Sequence, residues 1–124
     1  MATVNEGRYV GDWLKFEEDN FYSRETVTVA SGSNLDTGTV VGKVTATGKV
    51  KQINFSATDG SENAYGILYS KVDASTGDAK GVCIVRHAIV VADELIWPDG
   101  ATSDQKQTAL SQLAEKGIIS RDGI

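Results

Sequence analysis

The stretch from Glu25 to Val50, ETVTVASGSNLDTGTVVGKVTATGKV, constrains the fold more than any other part of the chain. In TVTVA, Val27 and Val29 fall on one side of an extended backbone and Thr26 and Thr28 on the other, the period of two that marks a half-buried strand. Gly32 and Gly38 sit where the pattern breaks, and glycine tolerates the positive φ that a reversal demands. TVVGKV is a second β-rich run interrupted by Gly42, TATGK is a further turn, and VKQINF begins a third run. The expectation is a bent β-ribbon with glycines at its corners. Paired catalytic groups and ligand clusters are missing from it, so its work is architectural.

Downstream, SATDGSEN (56–63) is polar turn chemistry, and AYGILYSKV resumes strand character with Gly66 as a bulge or bend. After a second polar turn, DASTGDAK, comes GVCIVRHAIVV, an apolar run that reads as a central strand or as two halves bent near Arg86 and His87. The period then changes. Beyond ELIWPDG a helix is predicted from about Ser103 to Lys116, with Ala109, Leu110, Leu113 and Ala114 in one apolar stripe. Thr102 and Gln105 fit a capping box, and Gly117 stands where a left-handed helix end belongs. Ile118 and Ile119 are expected to pin the short tail to the body. The fold class is therefore mainly β with one C-terminal helix, an α+β chain.

Composition decides which functions to set aside. A formal net charge of -5, with Lys and Arg scattered, offers no clustered basic face for nucleic acid or an anionic membrane. No segment approaches the roughly 18 consecutive apolar residues of a membrane span, and the N-terminus lacks the basic-then-apolar plan of a signal peptide. The expectation is a soluble protein with no nucleic-acid and no membrane partner.

Catalysis finds little to stand on. Cys83 lies in the apolar run GVCIV, where a thiol is a packing group more readily than a nucleophile. His87 has no Cys, Asp or Glu at metal-ligand spacing. Asp59, Asp73, Asp78 and Asp99 occupy turns, where aspartate ordinarily accepts hydrogen bonds from its own backbone. No catalytic residue, cofactor or metal is assigned. Asp78-Ala79-Lys80, read as a turn between strands, is loosely like the modified-lysine hairpin of biotinyl and lipoyl carrier domains.

Residues 1–24 differ from the rest. They hold five of the nine aromatics, Tyr9, Trp13, Phe16, Phe21 and Tyr22, beside acidic residues such as Glu17, Glu18 and Asp19. An acidic arm carrying large apolar groups cannot build its own core, so it either docks on a partner or folds back on its own domain. The reading favours docking. It divides the chain into an arm over 1–24, flexible until docked, and a single domain over 25–124.

The succession GDWLKFEEDNFYSRETVTVASG, LDTGTVVGKVTATGK, AYGILYSKVDA with DAKGVCIVRHAIV, and ELIWPDGATSDQKQTALSQLAEKGII resembles the phage head decoration proteins of the lambda type. The resemblance implies a β-clip type of bent ribbon that assembles as homotrimers. It implies seating at three-fold and quasi-three-fold points of the expanded capsid, clamping coat subunits on the virion's outer surface, after synthesis in the host bacterial cytoplasm. The partners implied are the major capsid protein and the chain itself. In such proteins the N-terminal arm docks on the coat, which makes Tyr9, Trp13, Leu14, Phe16, Phe21 and Tyr22 the candidate capsid-binding residues. Trp97 and Pro98 match the family pattern and are candidates for trimer interface or core. Two other readings stay open: a small carrier or ligand-binding β domain using Lys80, and a trimeric β-clip nucleotide hydrolase.

Overall fold

The structure, a computed structural model, describes residues 10–18 and 23–121. Among them are ten strands: β1 Leu14–Glu17, β2 Arg24–Val29, β3 Ser33–Leu35, β4 Val40–Lys43, β5 Val50–Gln52, β6 Gly66–Leu68, β7 Val72–Ala74, β8 Ala79–Ile84, β9 Ala88–Val91 and β10 Ile118–Arg121. One multi-turn helix, α1 (Ser103–Glu115), lies near the C-terminal end, and short 3₁₀ turns occupy Val10–Asp12 and Ala92–Glu94. The chain is mainly β with a C-terminal helix, as its periodicities predict.

Strands β2, β5, β4, β6 and β8 close into a barrel, β3 and β7 make a two-stranded ladder, and β1, β9 and β10 make a separate three-stranded sheet. The run from Glu25 to Val50 is thus not a ribbon paired within itself. Only β4 and β5 form a local antiparallel pair, while β2 spends its length against β8, Arg24 opposite Ile84 through Val29 opposite Ala79. Closure satisfies the β2 backbone from a strand far along the chain, a partner that local alternation cannot identify.

The pleat explains how the domain is layered. Successive strand residues face opposite ways, and here both faces are apolar: Val41, Leu68, Cys83 and Val85 pack with Val27, Val29 and Val50, whereas Val40, Ile67 and Ile84 pack on the other side. The first set fills the barrel. The second forms a core between the barrel wall and a cover made of Trp13, Ala88, Val90 and Ile118 from the three-stranded sheet and Ala109 and Leu113 from α1.

Glycines permit the closest approaches. A Cβ at Gly42 would run into the backbone of Ser61, and one at Gly66 would come within 2.6 Å of the Ile84 carbonyl oxygen. Gly66 therefore serves close strand packing, and β6 pairs with β4 and β8 without the register shift of a bulge. The long apolar run does bend, at His87, whose φ of 54° makes it the one non-glycine residue in the left-handed region among those described.

Helix α1 begins on the expected capping box: the Gln105 amide donates to Thr102 Oγ1 at 3.1 Å, and the Thr102 amide donates to Gln105 Oε1 at 2.9 Å. Ala109 and Leu113 are buried and Leu110 half-buried, but Ala114 is exposed, so the stripe is narrower than predicted. Gly117, at φ 84°, turns the chain into β10, which runs parallel to β9. A parallel neighbour needs a long crossover, and α1 supplies it.

Candidate functional site

The residues weighed for chemistry in the sequence take structural roles. Cys83 is fully buried inside the barrel, and that burial pushes its thiol up to about 12. Asp59 and Asp73 each accept from the amide and hydroxyl of the serine two residues on, Ser61 and Ser75, which holds both carboxyls below their ordinary values. The Asp78 carboxylate is lowered by Lys49 Nζ at 2.7 Å and by the Ser31 amide, tying the β2–β3 and β4–β5 turns to the start of β8. Lys80 is not at a hairpin tip. It lies within β8 opposite Thr28, and its Nζ donates to Thr28 Oγ1 at 3.0 Å. That corrects the carrier-like placement, because a carrier lysine must stand at an apex.

The N-terminal segment divides in a way its composition does not reveal. Trp13 is wholly buried, and its Nε1 donates at 2.9 Å to Thr37 Oγ1, which in turn donates at 2.7 Å to the Tyr69 carbonyl oxygen. Its own carbonyl accepts from the Val91 amide at 2.8 Å. Trp13 therefore belongs to the core, and the expected boundary after residue 24 falls too late: Val10–Glu17 is part of the body. Leu14 packs on the same core, half-buried. Tyr9, Phe21 and Tyr22 lie outside the described residues.

Phe16 is different. With period two it would share the inward face of Leu14, yet it is 53% exposed. Pairing against β9 gives the reason: Leu14 is opposite Val90 and Phe16 is opposite the very next residue, Ile89, so Lys15 is an inserted residue, a β-bulge. Such an insertion re-aims every side chain after it. Ile89 in turn pairs with Ile119 of β10, which is 40% exposed. Phe16 and Ile119 are the two exposed large apolar side chains among the described residues, and they flank half-buried Ile89 in one rank across the sheet. The expectation that Ile119 pins the tail holds only for its neighbour Ile118, which is buried. No local pattern signals this rank, because it depends on a bulge and on a parallel pairing.

The end of β1 is held firmly. Arg24 makes two hydrogen bonds to the Glu17 carboxylate, Nε at 2.7 Å and Nη2 at 2.9 Å, and Ser23 Oγ donates to it at 2.6 Å. Burial alone would raise the Glu17 carboxyl, but these bonds and the guanidinium charge outweigh it and leave it lowered. Arg24 also lies over the Tyr69 ring, 3.8 Å from its centre.

Trp97 and Pro98 are half-buried. Trp97 packs against the outer core and, with Leu110, Lys106, Gln107, Asp93 and Ser120, lines an open groove of about 510 Å³ beside α1. The lining of the groove is mostly polar. Among the described residues, no group of three or more His, Cys, Asp or Glu side chains is arranged to hold a metal, and no helix is long and apolar enough to cross a membrane.

No curated protein matches the chain. The family model for the bacteriophage lambda head decoration protein D does match, over residues 3–118 of the 124. That span takes in the bulged strand, the barrel, Trp97-Pro98 and the capped helix through the first residue of β10. The chain belongs to the bacteriophage lambda head decoration protein D family.

Proposed function

We propose that this protein is a structural, non-enzymatic decoration of a phage head, seating as a homotrimer at three-fold and quasi-three-fold points on the outer surface of the expanded capsid. The family match over nearly the whole chain carries the reading. Each protomer engages the major capsid protein through its N-terminal part, with Phe16 as an exposed anchor and Tyr9, Phe21 and Tyr22 as further contacts, while Leu14 and the buried Trp13 hold the base of that segment in place. The groove at Trp97, which Pro98 follows in sequence, is the proposed protomer contact, since Trp97 and Leu110 offer apolar surface within a mostly polar lining. The chain is made in the host cytoplasm and acts on the virion, with no role for nucleic acid or membrane at a net charge of -5.

The physics of such a clamp is additive. Three modest contacts on one trimer raise each other's effective concentration, and a seat present only after expansion stabilises the expanded shell by mass action. Co-sedimentation with expanded, DNA-free heads of the source phage, using unexpanded shells as control, tests it. Saturable binding to expanded shells near one chain per coat subunit is expected, and failure of the folded protein to bind either shell would sink it.

A further inference from the structure

We propose that the rank Phe16–Ile89–Ile119 on the outward face of the three-stranded sheet is a coat-protein contact, built by the bulge at Lys15 and shared between the two ends of the fold. The inference rests on the decoration reading and names the surface that reading needs. Leu14, Val90 and Ile118 turn inward to the core, whereas Phe16, Ile89 and Ile119 take no part in either buried cluster. Neighbouring strands lie roughly 4.8 Å apart, so three side chains in register form an apolar strip about 10 Å long. Arg121, exposed and two residues beyond Ile119 on β10, puts a basic side chain at one end of the strip, whereas Lys15 Nζ donates to the Gly11 carbonyl at 2.6 Å. The strip suits an apolar partner segment with one acidic flank.

Size selects the occupant. Phe16 at 53% and Ile119 at 40% exposure leave on the order of 200 Å² of open surface on the strip, against the roughly 800 Å² per partner that a stable pair of copies buries. A strip so small does not hold two copies of this chain together. It does suit a contact repeated many times over a shell, where each adds to the others. Regular pairing of the same residues would put Phe16 opposite Ala88 and toward the core, so the bulge exposes an aromatic that the domain does not need for its own packing.

The test uses the full chain with Phe16→Thr, Ile119→Thr and the double substitution, since threonine is well tolerated in strands. Circular dichroism and thermal melting establish folding, and analytical ultracentrifugation gives the oligomeric state. Affinity for expanded heads is then read by co-sedimentation. Each single change is expected to weaken binding about tenfold and the double about a hundredfold, with the oligomeric state unaltered. Should the double variant fail to fold, Ile119→Thr alone decides the matter, at the same tenfold expectation. Unchanged affinity in a folded variant overturns the contact while leaving the decoration reading intact, as does a variant whose self-association falls while its binding per protomer does not. No binding by the unaltered chain overturns the decoration reading, and this contact with it.

Discussion

Replacing Trp13 with alanine separates a docked-back segment from a loose arm. The side chain is fully buried among Val40, Ile67, Ile84, Val90 and Leu113, and its indole nitrogen is satisfied by Thr37. Truncating a buried tryptophan costs about 3–5 kcal/mol in transfer and cavity terms, and loss of the indole hydrogen bond to Thr37 is worth about 1 kcal/mol within that range. At about 4 °C per kcal/mol for a domain of this length, Trp13→Ala should lower the melting temperature by about 12–20 °C. Thr37→Val keeps the volume but orphans the indole N–H and removes the donor to Tyr69, for about 2 kcal/mol. A double-mutant cycle on Trp13→Phe and Thr37→Val should therefore show a coupling of about 1 kcal/mol in urea unfolding. If Trp13→Ala shifts stability by less than about 0.5 kcal/mol, the range for ordinary surface positions, then residues before β2 are not part of the body and the placement of Trp13 is wrong. By the same reasoning, deleting residues 1–24 strips a core side chain and β1 together. It should destabilise the domain as well as weaken capsid binding.

Gly42→Ala places a methyl group against the Ser61 backbone in the middle of β4, and overpacking of that kind should cost at least about 2 kcal/mol by thermal melting. A change under about 0.5 kcal/mol would mean that the barrel wall yields there. The Glu17 carboxyl is lowered in the folded state, so the stability it contributes is fully present above the ordinary carboxylate range and is lost as pH falls through its lowered value. Urea midpoints from pH 7 down to 3 should fall less steeply for Glu17→Gln than for the unaltered chain, and parallel curves would assign the acid sensitivity elsewhere. Cys83, with its thiol pushed up to about 12, should react with a thiol-specific disulfide reagent only as fast as the domain opens. Prompt labelling of native protein would contradict its burial.

Local rules account for the parts of this fold that close over a few residues. The alternation in β2, the Thr102–Gln105 cap, the positive φ at Gly32, Gly38 and Gly117 and the break at His87 are each set by neighbours in sequence, and all were legible there. What could not be read depends on partners far away. The Lys15 bulge exists only relative to β9, and it reverses the meaning of Phe16 two residues after Leu14. Trp13 looked like a docking anchor because its large apolar surface has no local partner; its partners are Thr37, the outer barrel wall and α1. Lys80 looked like a turn residue because DASTGDAK is polar throughout, yet β8 begins at Ala79 to match β2. Of the exposed rank, Phe16 alone is singled out by the sequence as a candidate contact; Ile119 reads there as a pin for the tail, and Ile89 is hidden in a largely buried apolar run.

The seam on β9 has a topological consequence. β1 and β10, from opposite ends of the described chain, flank one strand, with Leu14 opposite Val90 and Arg121 opposite Val91. Those two residues are about two strand spacings apart, roughly 10 Å. The domain is in effect a ring whose opening falls at that seam, so a peptide running from the end of β10 to the turn at Val10, leaving Trp13 in the core, would close it, and a new cut in the exposed turn at Thr76 would reopen it with every ladder preserved. Such a rearranged chain would carry its free ends at Thr76, far along the sequence from Phe16 and Ile119.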